Sequence, residues 1–498
     1  VELLDLSAVL VYPSTRDVAF SSLGFLKVRD MLSRRVGLTD ISYLPGRPPG
    51  RVVSRKQGLL LGERTAREVR DFDIVAFSIS YENDYTNVAR LIDMAGLYPM
   101  AEERAKPLPL VLFGGFAMFM NPLPMAPFAD AVVVGEAEPV IDAVLGTAAG
   151  AKQAGLPAGG AAGRQSRESL HRALGDIDGV FVPSVRQERV ERAWTPAGDF
   201  APEPPRDAES RDAHFKDMYL IEMGRGCGRN CLFCATGSLY KPVRMRDAGL
   251  ILRTAEGAGK VGLVGPAVAD HPQFLSILED LVGRGIKIGV SSLRADRVSP
   301  GLAALLARGG MRTATIAPEA GSEGLRGRIG KHLSDEQIVR AVRSLSDAGI
   351  PTIKLYFMIG LPGETEGDVG AIVRLVTRLA GVRGKSRLTV SAAPFVPKPH
   401  TCFEREPFAG PDVLRRRAGI LRRIRSVRGC ALKVASIQNA WLEACLARAD
   451  ERVAPLILEA AREGRSLRTL LRRSSLVDPE TRIPDGQPLP WDKFGEGH

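Results

Sequence analysis

Apolar positions fall into short runs, each closed by a loop signal and followed by a segment at helical spacing. The run over residues 8–12 ends at Pro13-Ser14, and Leu23, Leu26, Val28, Met31 and Leu32 then repeat at helical spacing within 20–32. A second run, 73–78, precedes the polar Tyr81-Glu82-Asn83-Asp84 and a helix predicted over 87–95. Runs at 108–113 and 130–134 lead into Gly114-Gly115 and Gly135-Glu136-Ala137-Glu138, with a helix expected from about Pro139. Strand, loop and helix repeated in this order predict an α/β fold, a doubly wound (Rossmann-like) parallel sheet over residues 1–147. Ligands of such sheets lie at the carboxyl ends of the strands, where Ser78, Gly114, Gly115, Gly135 and Glu136 fall. Each of these glycines also suits a plain strand-to-helix turn.

Residues 147–170 and 195–209 are rich in small and polar residues with little periodicity, so 148–210 reads as a linker carrying one short strand at 179–183. From residue 216 the alternation resumes. Strands are expected at 219–223, 259–264, 287–291, 313–317, 352–358 and 387–392, separated by helical segments. Six such units predict an open, partial (β/α)6 TIM-type barrel over 211–405. Beyond it, 406–498 reads as a C-terminal helical region, with helices over 412–427 and 440–469 and an irregular tail from 478.

At 498 residues, 45% apolar and 25% charged, the chain has ordinary globular usage, which excludes a disordered chain and a disulfide-stapled miniprotein. Charges or Pro/Gly interrupt every apolar run before it reaches membrane-spanning length, and no basic-then-apolar leader is visible, so a cytoplasmic protein without a membrane span is expected. The net charge of +11 points weakly to a polyanionic partner. Nucleic acid is the minority reading, because no module with stacking aromatics is visible. The Arg-rich segment 414–425 carries Leu414, Leu421 and Ile424 on one side, which predicts a docked helix with a solvated basic face.

Cysteine usage is more specific. Three of the six cysteines, Cys227, Cys231 and Cys234, lie within eight residues just beyond a predicted strand. A structural zinc site closes with four Cys or His ligands, and the flanking His214 and His271 are distant in sequence. Three thiolates suit a [4Fe–4S] cluster with one iron left open, and Gly224, Gly226 and Gly228 let the backbone wrap closely around it. Phe233, between the second and third thiols, is expected to lie against a cofactor. An incomplete zinc site or coincidental thiols is the bland alternative.

The C-x3-C-x2-C pattern after the first barrel strand resembles the signature of the radical S-adenosylmethionine (SAM) superfamily. The resemblance extends from residue 216 to about 403. It implies that SAM's amino and carboxylate groups chelate the open iron and that electron transfer, from an external donor of flavodoxin or ferredoxin type, cleaves the sulfonium to a 5′-deoxyadenosyl radical. It also implies roles for later strand ends. Gly265 and Pro266 stand where the family has a Gly-Gly-Glu type loop for SAM's amino group, although the Glu is missing. Ser291 and Arg294 end the third strand. Glu319 and Ser322 end the fourth, where the ribose and carboxylate of SAM are contacted, while Ile359 and Gly360 belong to the fifth-strand segment against adenine. Glu319, Ser322 and Gly360 also have dull readings, as helix caps or an ordinary turn.

A parallel-sheet domain ahead of such a barrel resembles the cobalamin-binding class of the superfamily. The matching positions are Ser14, Ser78, Gly114, Gly115, Gly135 and Glu136. The Asp-x-His-x-x-Gly motif is missing and the nearest histidine is His171 in the linker, so a histidine ligand to cobalt is not expected. The first 226 residues contain no cysteine, which argues against a methylthiotransferase with a second cluster there. The expected activity is a cobalamin-dependent methyltransferase whose substrate lies at the interface of the two domains. The alternatives are a cobalamin-independent radical enzyme (rearrangement, oxidation or C–C bond formation, on RNA or a metabolite) and an iron–sulfur interaction protein. Cys402, His400 and Lys398 follow the sixth strand as further candidates near the barrel mouth.

Overall fold

A computed structural model describes residues 3–45, 59–155, 160–205, 215 and 217–495. The chain divides into two units: Val1–Lys216 with Cys445–Asp478 and Gln487–His498, and Asp217–Ala444 with Pro479–Gly486.

In the first unit, strands β1 (Leu4–Tyr12), β2 (Val36–Tyr43), β3 (Ile74–Ser78), β4 (Leu110–Gly114), β5 (Ala131–Val133) and β6 (Val180–Phe181) form one sheet in the order β2-β1-β3-β4-β5-β6. All neighbours are parallel except β6 on β5. Leu6 to Tyr12 of β1 are all buried, the unbroken burial expected where helices cover both faces. The order reverses between β1 and β3, which makes their carboxyl ends the topological switch point of the doubly wound sheet. Strand β2 was not expected from the sequence, because Thr39 and Asp40 interrupt its apolar run. Asp40 is fully buried and accepts hydrogen bonds from the backbone N–H groups of Ile41, Arg64 and Thr65 at 2.8–3.0 Å.

The stretch expected as a linker is more ordered than that. Within 148–210 lie the end of the helix Ile141–Gln153, the helix Gly160–Gly175, β6 and a short strand β7 (Val190–Glu191). Residues 156–159 and 206–210 of that stretch lie outside the described residues. Small residues hide these helices from periodicity, yet Ala148, Leu170 and Leu174 belong to the first unit's core. A buried polar network also holds the second helix. Asp130 pairs with Arg104 Nη1 at 2.9 Å and with Arg167, and it accepts from the Val111 N–H at 2.7 Å.

In the second unit, β8 (Tyr219–Glu222) runs into a short antiparallel pair, β9 (Gly224–Arg225) and β10 (Arg244–Met245). Strands β11 (Lys260–Val264) and β12 (Lys287–Val290) extend β8 in parallel; β13 (Thr313–Glu319), β14 (Thr352–Ile359), β15 (Arg387–Pro394) and β16 (Cys430–Val434) form a second parallel run. The bridge Leu293–Ile316, with Leu293 N–H donating to Thr315 at 2.8 Å, connects the two runs. The strands lie in chain order, as in an open partial barrel. The six predicted strands are present and β16 adds a seventh. Among the described residues no pairing joins β16 back to β8. The helices Asp335–Asp347 and Glu366–Val382 each begin at a capping box, Ser334 with Gln337 and Thr365 with Asp368.

The expected separate region 406–498 is corrected by the unit boundaries. The helix Pro411–Leu421 belongs to the barrel unit, whereas Ala454–Glu463 and Leu467–Ser474 pack in the first unit. There, Asn121 Nδ2 donates to the carbonyls of Ala447 (3.1 Å) and Ala449 (2.8 Å), and Arg462 pairs with Asp93 at 2.9 Å. β17 (Phe494–Gly495) pairs in parallel with β7. No described helix is long and apolar enough to cross a membrane.

Candidate active site

The cysteine loop leaves the sheet through Gly226, whose φ of +79° is left-handed and where a Cβ would collide with the Tyr240 carbonyl. The loop is then seated on a segment distant in sequence. Leu232 N–H donates to Ile329 at 3.1 Å, Cys231 Sγ lies 3.8 Å from the Gly330 carbonyl, and Gly330 (φ +73°) packs so closely on Asn230 that a side chain has no room. Burial pushes the Cys231 thiol up; the Lys331 cation opposes this, the Cys234 sulfur adds to it, and Arg294 opposes it again. Burial also raises Cys234, with the Cys227 sulfur contributing in the same direction. The Cys234 N–H donates to the Cys231 carbonyl at 3.1 Å, which closes the turn between the second and third thiols. Among the described residues no three His, Cys, Asp or Glu side chains converge on one metal-ion position. A cubane does not require that, because each thiolate binds a different iron, so the donor set fits a cluster better than a mononuclear site. His271 is buried with Nε2 2.9 Å from the Arg246 carbonyl, and His214 lies outside the described residues.

The strand ends bring several predicted residues together. Ser291 Oγ donates to the Gly265 carbonyl at 3.1 Å, with exposed Pro266 beside it. Arg294 forks onto Asp296 (2.9 and 3.3 Å) and reaches the Lys331 carbonyl at 3.2 Å. Lys331 Nζ lies 3.2 Å from Glu319, which holds a left-handed φ of +70° at the end of β13. Ser322 is engaged elsewhere: it caps the helix Glu323–Arg328, accepting from Leu325 N–H at 3.1 Å, and donates to Asp368. Ile359 is buried, and Gly360 turns the chain at φ +90° with its N–H donating to Glu364 Oε2 at 2.7 Å. Burial raises the Glu364 carboxyl to about 7, against the Gly360 hydrogen bond and the Arg417 cation. Sequence reading missed Gly330, Lys331, Glu364 and Arg417. Only the Gly-x-x-Gly-Glu turn hinted at Glu364.

A cavity of about 370 Å³ opens at the carboxyl ends of β14 and β15, lined by Phe233, Met358, Ala393, Phe395 and Val396 with Lys398 and Glu443 at its polar edge. Phe233 lies between the cavity and an apolar cluster of Ala320, Leu325, Ile329, Leu361 and Phe395. Lys398 pairs with Glu443 at 2.8 Å. The His400 N–H donates to Glu404 at 2.7 Å, and Cys402 is exposed.

In the first unit, Ser78 and Gly114 sit level in register at the ends of β3 and β4, both partly open. Ser14 follows β1 and its carbonyl accepts from Leu44 N–H at 3.0 Å. Gly115 (φ +106°) and Gly135 (φ +122°) press against the backbone of Ile79 and Ala193, and buried Glu136 accepts from Thr195 N–H at 2.9 Å. Near the switch point, burial raises the Asp84 carboxyl to about 6 despite its bond from Asn87, and burial also raises the Tyr12 hydroxyl. His171 is buried in the Asp130 network with Nδ1 2.7 Å from Ser184 Oγ, and desolvation lowers it to about 4.

Two family models match this chain: residues 30–183 match the N-terminal domain of radical SAM proteins, and 221–376 match the radical SAM superfamily domain. The chain belongs to the radical SAM superfamily, whose chemistry uses a [4Fe–4S] cluster and SAM. It is 28% identical to an uncharacterized protein of Methanocaldococcus jannaschii over 417 residues, covering 82% of this chain and 85% of that one. Over 166 residues it is 30% identical to the ribosomal protein uS12 methylthiotransferase RimO of Desulforudis audaxviator, covering 30% of this chain and 37% of that one. Among solved structures it resembles the cobalamin-dependent SAM radical enzyme OxsB with aqua-cobalamin bound, with a TM-score of 0.50, 14% identity and 93% of this chain covered. The chain spans 62% of that structure's chain, and the likeness is one of fold.

Proposed function

We propose that this radical SAM enzyme is a cobalamin-dependent methyltransferase. The observation that carries the reading is the β2-β1-β3-β4-β5 order of the first unit, with its switch point and open strand ends at Ser78 and Gly114, in a chain that also carries a radical SAM barrel. The fold likeness to an enzyme described as cobalamin-dependent supports it. Cys227, Cys231 and Cys234 would hold the cluster, which supplies the reducing electron and an open iron for SAM. Phe233, Met358 and Phe395 would wall the adenine, and the Lys331–Glu319 pair stands beside the thiols to orient polar groups. With His171 neutral and engaged by Ser184, cobalamin would bind without a histidine on cobalt.

The test is anaerobic reconstitution with iron, sulfide and SAM, with and without methylcobalamin. The reading expects a cobalamin absorption spectrum retained through gel filtration, and both 5′-deoxyadenosine and S-adenosylhomocysteine under a strong reductant. SAM cleavage without cobalamin retention favours the cobalamin-independent reading. The packing role of Gly115, Gly135 and Glu136 is the structural reason to keep that second reading.

A further inference from the structure

The uncovered face of the β14–β16 sheet is polar. Along β14, Ile353, Leu355, Phe357 and Ile359 are buried, as are Leu388, Val390 and Ala392 along β15. The helices Asp335–Asp347 and Glu366–Val382 supply the matching buried residues Val342, Leu345, Ile372 and Val376. The two-residue period then places Lys354, Tyr356, Thr389 and Ser391 on the opposite face, the one shared by the cavity-lining Met358 and Ala393. Parallel register sets Lys354 beside Thr389 and Ala431 in one row, and Tyr356 beside Ser391 and Lys433 in the next. Barrel interiors are ordinarily filled by layers of branched apolar side chains. Here Tyr356 is 40% exposed, Lys433 is exposed, and Lys354, Thr389 and Ser391 are half-buried.

Among the described residues neither lysine has a carboxylate partner, and Tyr356 has no hydrogen bond. With strands about 4.8 Å apart and about 6.6 Å between alternate residues, the two lysine Cα atoms lie roughly 12 Å apart, within reach of one ligand. We propose that this face is the substrate-recognition surface and that the substrate is a multiply charged oxyanion bearing carboxylate or phosphate groups. Lys354 and Lys433 grip the charges, and Tyr356 and Ser391 hydrogen-bond the polar body below the cavity. An apolar substrate would leave both cations unmatched on a face it covers. The assignment rests on the radical SAM reading for what happens to the substrate, whereas anion capture is a property of the face itself.

Calorimetric titration of the full chain, without cluster, against citrate, pyrophosphate and uncharged glycerol tests it. The expected result is binding of at least one anion and not of glycerol. Stronger citrate binding marks a carboxylate source, and stronger pyrophosphate binding a phosphate source. Lys354→Met and Lys433→Met should each weaken anion binding about tenfold, the worth of one charge-assisted hydrogen bond, with Lys354→Arg restoring it. Arg422→Met, at an exposed cation outside this face, should leave binding unchanged. No anion binding, undiminished wild-type binding in both lysine variants, or an equal loss at Arg422 overturns the proposal. Melting temperatures check the fold of each variant; should Lys354→Met unfold, the exposed Lys433→Met carries the comparison. Failure of the radical SAM reading shows separately, as wild-type protein that neither retains iron nor cleaves SAM.

Discussion

Arg417 and Glu364 meet in a buried ion pair, with Nη1 3.0 Å from Oε2 while Arg417 Nη2 donates to the Glu364 carbonyl at 2.6 Å. Because Glu364 also accepts from Gly360 N–H, one carboxylate ties the helix Pro411–Leu421 to the turn that ends β14. Desolvation outweighs the ion pair, so the carboxyl titrates at about 7 in the folded protein against an ordinary 4.5. The folded state therefore binds more protons between these values. Its stability from this group is full below about pH 4.5 and lost as pH rises through about 7, by at most about 3 kcal/mol. Chemical denaturation from pH 5 to 8 should show this decline in the wild type and a flatter profile in Glu364→Gln. Arg417→Ala should cost about 3 kcal/mol at pH 8, where the carboxylate is charged and unpaired, and less at pH 5.5.

Removing a thiolate should empty the site. Cys227→Ala, Cys231→Ala and Cys234→Ala should each bring iron and sulfide in anaerobically reconstituted protein close to background, since two thiolates leave an incomplete cage. Cys402→Ala and Cys430→Ala should retain wild-type iron. Iron and sulfide quantification with the visible absorption spectrum decides this.

The seat of the cysteine loop can be tested apart from its ligands. Gly330→Ala forces a side chain into a left-handed position against Asn230, at a backbone cost of about 1–2 kcal/mol before any clash. The expected outcome is a lowered iron content with all three cysteines present. Full iron occupancy in this variant would mean that the seat does not position the loop.

The buried network of the first unit should behave as a unit. Asp130→Ala leaves Arg104 and Arg167 without their shared carboxylate and should cost about 3–5 kcal/mol, whereas Arg34→Ala, whose partner Asp30 sits on the same helix, should cost less than about 1 kcal/mol. Urea denaturation of the two variants measures the difference.

The succession of strands and helices along the chain and the cysteine cluster were legible because each depends on neighbours in sequence. Runs such as 8–12 and 73–78 are apolar without interruption, and three thiols in eight residues need no distant partner to be recognised. What escaped depends on contacts made across the chain. Strand β2 carries Asp40, whose burial makes sense only once the Arg64 and Thr65 backbones are beside it. Strand β16 is five residues long and half-exposed, so its pattern is weak. Gly330 and Lys331 lie about a hundred residues from the thiols they support, as the 99-residue separation between Cys231 and Gly330 shows. Ser322 also caps a helix, and Gly115, Gly135 and Glu136 also make tight backbone contacts or a backbone hydrogen bond, because a site motif and a tight turn use the same residue types.

The first unit's last contributions arrive late. The helix Ala454–Glu463 and the strand β17, which pairs with β7, are encoded after the entire barrel. A ribosome translating this chain therefore releases the first sheet with its later partners still unmade, and the barrel is synthesised while that sheet waits. Truncating the gene after the barrel would deprive the upstream unit, rather than the downstream one, of helices and a strand, so a stop codon near residue 444 should be felt first as aggregation of the amino-terminal sheet.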